Sequence, residues 1–207
     1  MDPEAARDRL VDRLLERDRI SDERVADALR SVPRHEFVPG GNRKRAYADR
    51  PLSIGEGQTI SAPHMVGIMA ELLELEPGDR VLEIGTGCGY HAAVTSELVG
   101  PGNVYSVEYH DSLAEAARDR LARLGYDVHV RAGDGKRGWP EYAPFDACYL
   151  TCAAREVPDA LFAQVRDGGR LLAPVGDRSQ TLYRYEHDGD DWHRTSHGGV
   201  RFVPLLG

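Results

Sequence analysis

Hydrophobic positions in the first thirty or so residues recur at helical spacing. Leu10, Leu14 and Leu15 share one face of a first helix, and Val25, Ala28 and Leu29 share one face of a second. Ser21 stands as N-cap of the second helix, with Asp22 and Glu23 in the first turn, where a carboxylate suits the helix dipole. The periodicity stops between Val32 and Thr59. Pro and Gly are too frequent there for a long helix or strand, although Phe37, Val38, Tyr47 and Leu52 are apolar. A stretch of this length inside a compact fold either serves function or holds short elements that periodicity does not reveal. Helical spacing resumes along Met65, Val66, Ile68, Met69, Leu72 and Leu73, with Pro63 at its start and Ser61 as the candidate cap.

From Arg80 the rhythm becomes strand–helix alternation. The segment from Arg80 to Ile84 predicts a first strand, and His91 to Val99 a helix. Val104 to Glu108 predicts a second strand, and Asp111 to Leu124 the next helix. Val128 to Ala132 predicts a third strand and Asp146 to Leu150 a fourth. Pro158 opens a further helix, and Arg170 to Val175 forms a fifth strand. Such alternation predicts a doubly wound, mostly parallel α/β sheet covered on both faces. An antiparallel hairpin around Asp188-Gly189-Asp190 and a short terminal strand at Arg201–Gly207 follow. The expected architecture is one domain over residues 1–207. Residues 1–60 form a helical N-terminal extension and covering segment, and residues 61–207 form the α/β core with antiparallel C-terminal strands.

Composition narrows the function classes. Lys+Arg number 26 against 34 Asp+Glu, a net charge of −8, so no nucleic-acid partner is expected, because phosphate attraction drives such binding. No apolar run reaches membrane-spanning length, and the charged opening MDPEAARDRL is unlike an export signal. Cys88, Cys148 and Cys152 are odd in number, which predicts reduced thiols packed as small hydrophobes in a cytoplasmic protein. No spacing of Cys and His suits a metal site.

The sharpest motif is Glu83-Ile84-Gly85-Thr86-Gly87-Cys88-Gly89-Tyr90, directly after the first strand. Glycines there permit a tight turn and close ligand approach at the carboxyl end of a parallel strand. Tyr90 occupies the place where a dinucleotide fingerprint needs a third glycine or an alanine. Glu108 ends the second strand, about 20 residues beyond the glycines, where an acid can accept both hydroxyls of a ribose. Gly133-Asp134-Gly135 follows the third strand. The G-x-G-x-G spacing with its preceding acid resembles motif I of the class I S-adenosylmethionine-dependent methyltransferases.

A closer resemblance runs from Val32 to the end of the chain. VPRHEFVP, then AYADRPLSIGEGQTISAPHMVGIMAELLEL, EIGTGCGYHAAV, GDGKRGWPEYAPFDA, GGRLLAPVG and RFVPLLG follow in order. Together they resemble the protein-L-isoaspartate (D-aspartate) O-methyltransferase family, and GQTIS-x-P is the specific part. The resemblance implies methyl transfer from S-adenosylmethionine to the free α-carboxylate of L-isoaspartyl residues, and more weakly D-aspartyl residues, in damaged proteins. The ester then closes to a succinimide, and hydrolysis returns some normal aspartate. It also implies that Ser61 orients the acceptor carboxylate. Thr59, Glu83, Gly85, Thr86, Gly87, Gly89, Glu108, Tyr109, Asp134 and Gly135 would hold the cofactor, with Asp134 at the adenine. Gly55, Glu56, Gly57, Gln58, Ile60, Val203 and Pro204 would line the acceptor side. Damaged proteins and peptides are the expected partners of a monomer. His64, His91, Cys88 and the Arg43-Lys44-Arg45 run are lesser candidates, each with a plain packing or surface explanation. Three rivals stand beside this reading: a non-catalytic cofactor-binding paralogue, a class I methyltransferase with another acceptor such as a tRNA base, and a nicotinamide-dependent oxidoreductase, which Tyr90 disfavours. The turn at Thr151-Cys152-Ala153-Ala154 lacks the Asn/Asp-Pro-Pro-aromatic motif of base methylation.

Overall fold

A computed structural model describes residues 2–207. Two helices open the chain, α1 (Pro3–Glu16) and α2 (Glu23–Ser31), and their apolar faces are buried at Leu10, Val11, Leu14, Val25, Ala28 and Leu29. The cap of α2 is Asp22 rather than Ser21: its carboxylate accepts the amides of Arg24 at 2.7 Å and Val25 at 3.4 Å. The amides of Ser21 and Asp22 donate to Glu71 on the following helix instead. A carboxylate outcompetes a hydroxyl at this position because it also carries the charge that the helix dipole attracts.

The aperiodic stretch holds short elements. Two 3₁₀ turns, Arg34–Glu36 and Gly40–Arg45, precede a small hairpin of β1 (Leu52–Gly55) and β2 (Gln58–Ile60). Its turn is Gly55-Glu56-Gly57, with φ of +104°, +51° and +72°, so two of three left-handed positions are glycine and Glu56 bears the strain of the third. Helix α3 (Pro63–Leu73) follows, and its N-cap is Ala62, with no side-chain cap bond. Asp49 does that work from outside the helix, accepting from the His64 amide at 3.0 Å and bonding its Nδ1 at 2.8 Å. Ser61 is thereby released from the capping role that its position predicts.

The remaining chain alternates as expected: β3 (Val81–Ile84), α4 (Tyr90–Val99), β4 (Val104–Glu108), α5 (Asp111–Arg123), β5 (Val128–Ala132), β6 (Phe145–Leu150), α6 (Asp159–Phe162), then β7 (Val165–Gly176), β8 (Gln180–Asp188) and β9 (Asp191–Val200). The seven strands lie in the order β5-β4-β3-β6-β7-β8-β9, parallel from β5 to β7 and antiparallel beyond. The predicted helix at Pro158 lasts only four residues, because Val165 already enters β7. The predicted terminal strand is absent. Residues 201–207 make a single bridge through Pro204 to Ala153, with Ala153 donating to Val203 at 2.7 Å and Leu205 donating to Ala153 at 2.8 Å. Pro204 has no N–H with which to extend that pairing. No described helix is long and apolar enough to cross a membrane.

Two buried polar groups fix the architecture around the ends of β3 and α4. The Glu83 carboxyl on β3 is fully buried, accepting from Tyr149 on β6 at 2.8 Å and from Ser106 on β4. Ser106 bonds Thr86 in the glycine loop at 2.5 Å, and Tyr149 bonds Thr95 in α4 at 2.9 Å. Burial pushes the Glu83 pKa up to about 8. Arg34, also fully buried, donates from Nε to Ala46 at 2.8 Å and from Nη2 to Arg50 at 3.4 Å, while its guanidinium lies 4.8 Å from the centre of the Tyr90 ring.

Two outcomes follow from these groups. A carboxyl whose pKa is raised by folding contributes most stability below its unfolded value, near 4.5, and that contribution is lost as pH rises toward about 8. Glu83→Gln mimics the protonated form, so its melting temperature should gain on the wild type across that interval, by roughly 2–4 °C per kcal/mol of linkage. A constant gap between pH 5 and 8, by calorimetry, excludes this account. Arg34→Met keeps the stem but removes both backbone bonds; amides from Tyr47 to Arg50 should then exchange with deuterium about tenfold faster, with the sheet unchanged.

Candidate active site

The order of strands reverses at β3, which has β4 on one side and β6 on the other, and ligands of such sheets bind outside the carboxyl ends at that point. A pocket lies there. Its floor is the loop Gly85-Thr86-Gly87-Cys88, where β3 turns into α4. Gly85 has φ +100°, and a Cβ on it would stand 2.3 Å from Thr151 Oγ1, whose hydroxyl donates to the Gly85 carbonyl at 2.5 Å. No other residue fits that turn.

Glu108, at the end of β4, supplies the charge. It is 5% exposed, and its two oxygens accept from the Gly87 amide at 2.7 Å and the His110 amide at 3.0 Å. A carboxylate has about four lone-pair sites, so two such bonds fix its orientation and leave capacity for two donors from a ligand. The Gly87 contact ties this acid directly to the glycine loop, so the loop and the charge form one rigid receptor.

Most of the residues singled out in the sequence converge here. Gly85, Thr86, Gly87, Glu108, Tyr109 and Gly135 form one side. Gln58, Thr59, Ile60 and Ser61, from β2 and the approach to α3, form the lid side, and Val203 and Pro204 come from the tail. Six others lie off the wall. Glu83 sits behind Thr86, engaged by Ser106 and Tyr149. Gly89 is the N-cap of α4. Asp134 accepts the Lys136 amide at 2.9 Å and holds the turn that brings Gly135 to the pocket. Gly55, Glu56 and Gly57 form the hairpin turn, where Glu56 accepts from Ser112 on α5 at 2.9 Å.

Several wall residues carry no polar signature in the sequence. Ile84, Val107 and Leu205 are apolar and read as core, whereas Thr151 could have been found by its place just past β6, a parallel-strand carboxyl end. His91 and Cys88 also reach the wall. His91 is buried against the Tyr149 ring, 4.5 Å between centres, and neither ring nitrogen has a partner; burial drives its pKa down to about 3. The thiols of Cys88 and Cys152 are pushed up by burial, the latter to about 12 with help from Glu108 and Glu83. The described wall thus contains one placed carboxylate, Glu108, the neutral imidazole of His91 with a second histidine, His110, and the thiols of Cys88 and Cys152, with no relay of nucleophile and base.

A second, wider depression opens from the first and shares Thr59, Ser61, Thr151, Val203, Pro204 and Leu205 with it. Ser61 therefore stands where a small pocket meets a wider groove. That geometry suits joining a small ligand to a large one.

Comparison with known proteins agrees. The family model for protein-L-isoaspartate (D-aspartate) O-methyltransferase matches residues 5–207. A protein-L-isoaspartate O-methyltransferase of Methanopyrus kandleri is 53% identical over 207 residues, covering 98% of this chain and 92% of its own. A solved protein-L-isoaspartate O-methyltransferase superposes with a TM-score of 0.89 at 33% identity, over 97% of this chain and 66% of that one. A Plasmodium falciparum structure, described as a complex with S-adenosyl-L-homocysteine, gives a TM-score of 0.84 at 24% identity, over 97% of this chain and 98% of that one, and shares the fold. The chain belongs to the protein-L-isoaspartate (D-aspartate) O-methyltransferase family.

Proposed function

We propose that this chain transfers a methyl group from S-adenosylmethionine to the free α-carboxylate of L-isoaspartyl residues, and more weakly D-aspartyl residues, in damaged proteins. The observation that carries this reading is the meeting of two cavities at Ser61, one small and one wide, in a chain that the family model matches over residues 5–207. When bound, the donor supplies an already activated sulfonium methyl. Everything else is positioning.

Glu108 holds the ribose hydroxyls with its two unused acceptor sites, and the Gly85–Gly87 backbone forms the floor on which the donor rests, a turn that a Cβ at Gly85 would disturb by meeting Thr151. Gly135, presented by the Asp134 turn, and Tyr109 border the base, while Thr86 and Thr59 complete the donor side. The acceptor carboxylate has a pKa near 3.5–4 and is ionised at neutral pH, so no general base is required. Ser61 Oγ donates a hydrogen bond that orients it. Gln58 and Ile60, with Val203 and Pro204, shape the entry of the peptide.

Two protonation states protect the reaction. A charged imidazole at position 91 would repel a cationic donor, and burial keeps His91 neutral throughout the working range. A thiolate at Cys88 or Cys152 would compete with the carboxylate as a methyl acceptor, and burial keeps both as thiols. Rate enhancement then comes from proximity, alignment and removal of water. The N-terminal helices belong to the same working unit, since one apolar cluster runs from Leu10 through Phe37 and Tyr90 to Leu182. Three free, buried cysteines accord with a reducing cytoplasmic setting.

The direct test is transfer of labelled methyl to a short peptide bearing one L-isoaspartyl residue, beside its aspartyl twin. Base-labile labelling of the isoaspartyl peptide alone is expected; equal labelling of both sinks the acceptor assignment. Ser61→Ala should lower kcat by about 10–100-fold with donor affinity within about twofold. Glu108→Ala should instead weaken donor binding by about 10–100-fold, the loss typical of charge-assisted hydrogen bonds. Calorimetry separates the two, and equal loss of donor affinity in both variants removes the division of labour.

A further inference from the structure

The groove that opens beyond Ser61 is charged against the sign of the molecule. The chain carries −8, yet Lys136, Arg155, Arg178 and Arg201 line this groove with only Glu156 and Asp177 as carboxylates. Two of the cations are engaged: Arg155 pairs with Asp177 at 3.3 Å, and Lys136 Nζ donates to the Gly207 carbonyl. Arg178 and Arg201 are exposed and have no hydrogen-bond or ion-pair partner among the described residues. Glu156 is the one carboxylate of the groove outside an ion pair.

The two free guanidiniums are neighbours by topology. Gln180 on β8 pairs with Val200 on β9 in antiparallel register, and Gln180 is further tied to Phe202 by bonds of 2.6 and 3.1 Å. Arg178 and Arg201 therefore leave the same end of this strand pair on facing segments. Arg201 also stands two residues before Val203, which borders both the pocket and the groove. Arginine presents a planar fork that fits a carboxylate in bidentate fashion, and an acidic chain gains nothing by keeping two such forks unpaired in a substrate groove.

We propose that Arg178 and Arg201 select isoaspartyl segments carrying Asp or Glu beside the damaged residue. This rests on the methyltransferase reading above and names the class of protein segment that the site prefers. Recognition lies in the flanking side chains, so it survives methylation, which neutralises the acceptor carboxylate itself. Both contacts are solvent-exposed and so are screened by salt, whereas the Ser61 contact inside the pocket is screened less.

The test uses three peptides that share one L-isoaspartyl residue and differ only in two flanking positions, filled by Ser, Glu or Lys. At 0.1 M salt, kcat/KM for the Glu peptide should exceed that for the Lys peptide by about three- to tenfold, mainly through KM. The preference should shrink toward unity at 1 M salt, where the screening length falls to about 3 Å. In Arg178→Glu/Arg201→Glu the order of the two charged peptides should invert. Salt dependence in the wild-type enzyme stands as an independent readout if the double variant folds poorly, and Arg178→Gln gives a milder one. Equal kcat/KM for the Glu and Lys peptides at low salt, with the Ser peptide turned over, overturns the inference while leaving methyl transfer intact. Failure to label the Ser peptide brings down the methyltransferase reading, and the inference with it.

Discussion

A single buried carboxyl organises the catalytic end of the sheet. Glu83 lies where β3, β4 and β6 run side by side, and a charge there would cost far more than any contact on the surface returns. Folding resolves this by raising its pKa to about 8 and by saturating it with hydroxyls, Ser106 on one flank and Tyr149 on the other. Each hydroxyl passes the constraint onward, Ser106 to Thr86 in the glycine loop and Tyr149 to Thr95 in α4. The loop is thus gripped at its middle and, through α4, beyond its end. Only because it is held so firmly can Gly87 offer its amide to Glu108 at 2.7 Å and keep that carboxylate aimed at the pocket.

The covering segment is secured to the same place by different means. Arg34 buries a cation without a hydrogen-bonded carboxylate and engages it with carbonyls of Ala46 and Arg50 and the face of Tyr90, leaving Nη1 without a partner. Phe37 packs edge-on to the same ring at 5.6 Å. Tyr90 is the first residue of α4, directly after the glycine loop, so strap and loop share one anchor. The hairpin that follows then delivers Thr59 and Ser61 to the mouth of the pocket, and Asp49 caps α3 from the strap itself. Coverage and recognition are mechanically one piece.

These arrangements were unequally legible in the sequence. The parallel core, the glycine loop and Glu108 announce themselves because strand periodicity, turn chemistry and the carboxyl-end rule are local statements. The hairpin at Leu52–Ile60 escapes because strands of four and three residues are too short for a period, and only the Gly-Glu-Gly turn marks it. Ser21 and Ser61 illustrate a second limit. Both look like caps, yet Asp22 and Asp49 do the capping, since competition among acceptors is decided by tertiary geometry. Asp134 shows a third. An acid at a strand end reads as a ligand contact, and the sequence does not announce that its own turn also offers it the Lys136 amide at 2.9 Å. Glu83 belongs to the same class, an acid in a ligand motif whose partners arrive from strands far along the chain.

The two cavities that meet at Ser61 differ in chemical character, and the reaction demands that difference. A cationic donor is best held beside a fixed carboxylate among groups that stay uncharged, and Glu108, His91, Cys88 and Cys152 supply that environment through burial. The pocket beside those thiols is much the smaller of the two cavities. The acceptor of the proposed reaction comes from the wider groove, and there the chain presents exposed arginines, whose charges need no desolvation. The small cavity suits a small donor, and the wide one suits an acceptor that differs from chain to chain. Among the described residues Ser61, Thr59 and Thr151 are the hydroxyl side chains placed on both walls, and Ser61, free of the cap of α3, stands at the junction that the proposed transfer requires.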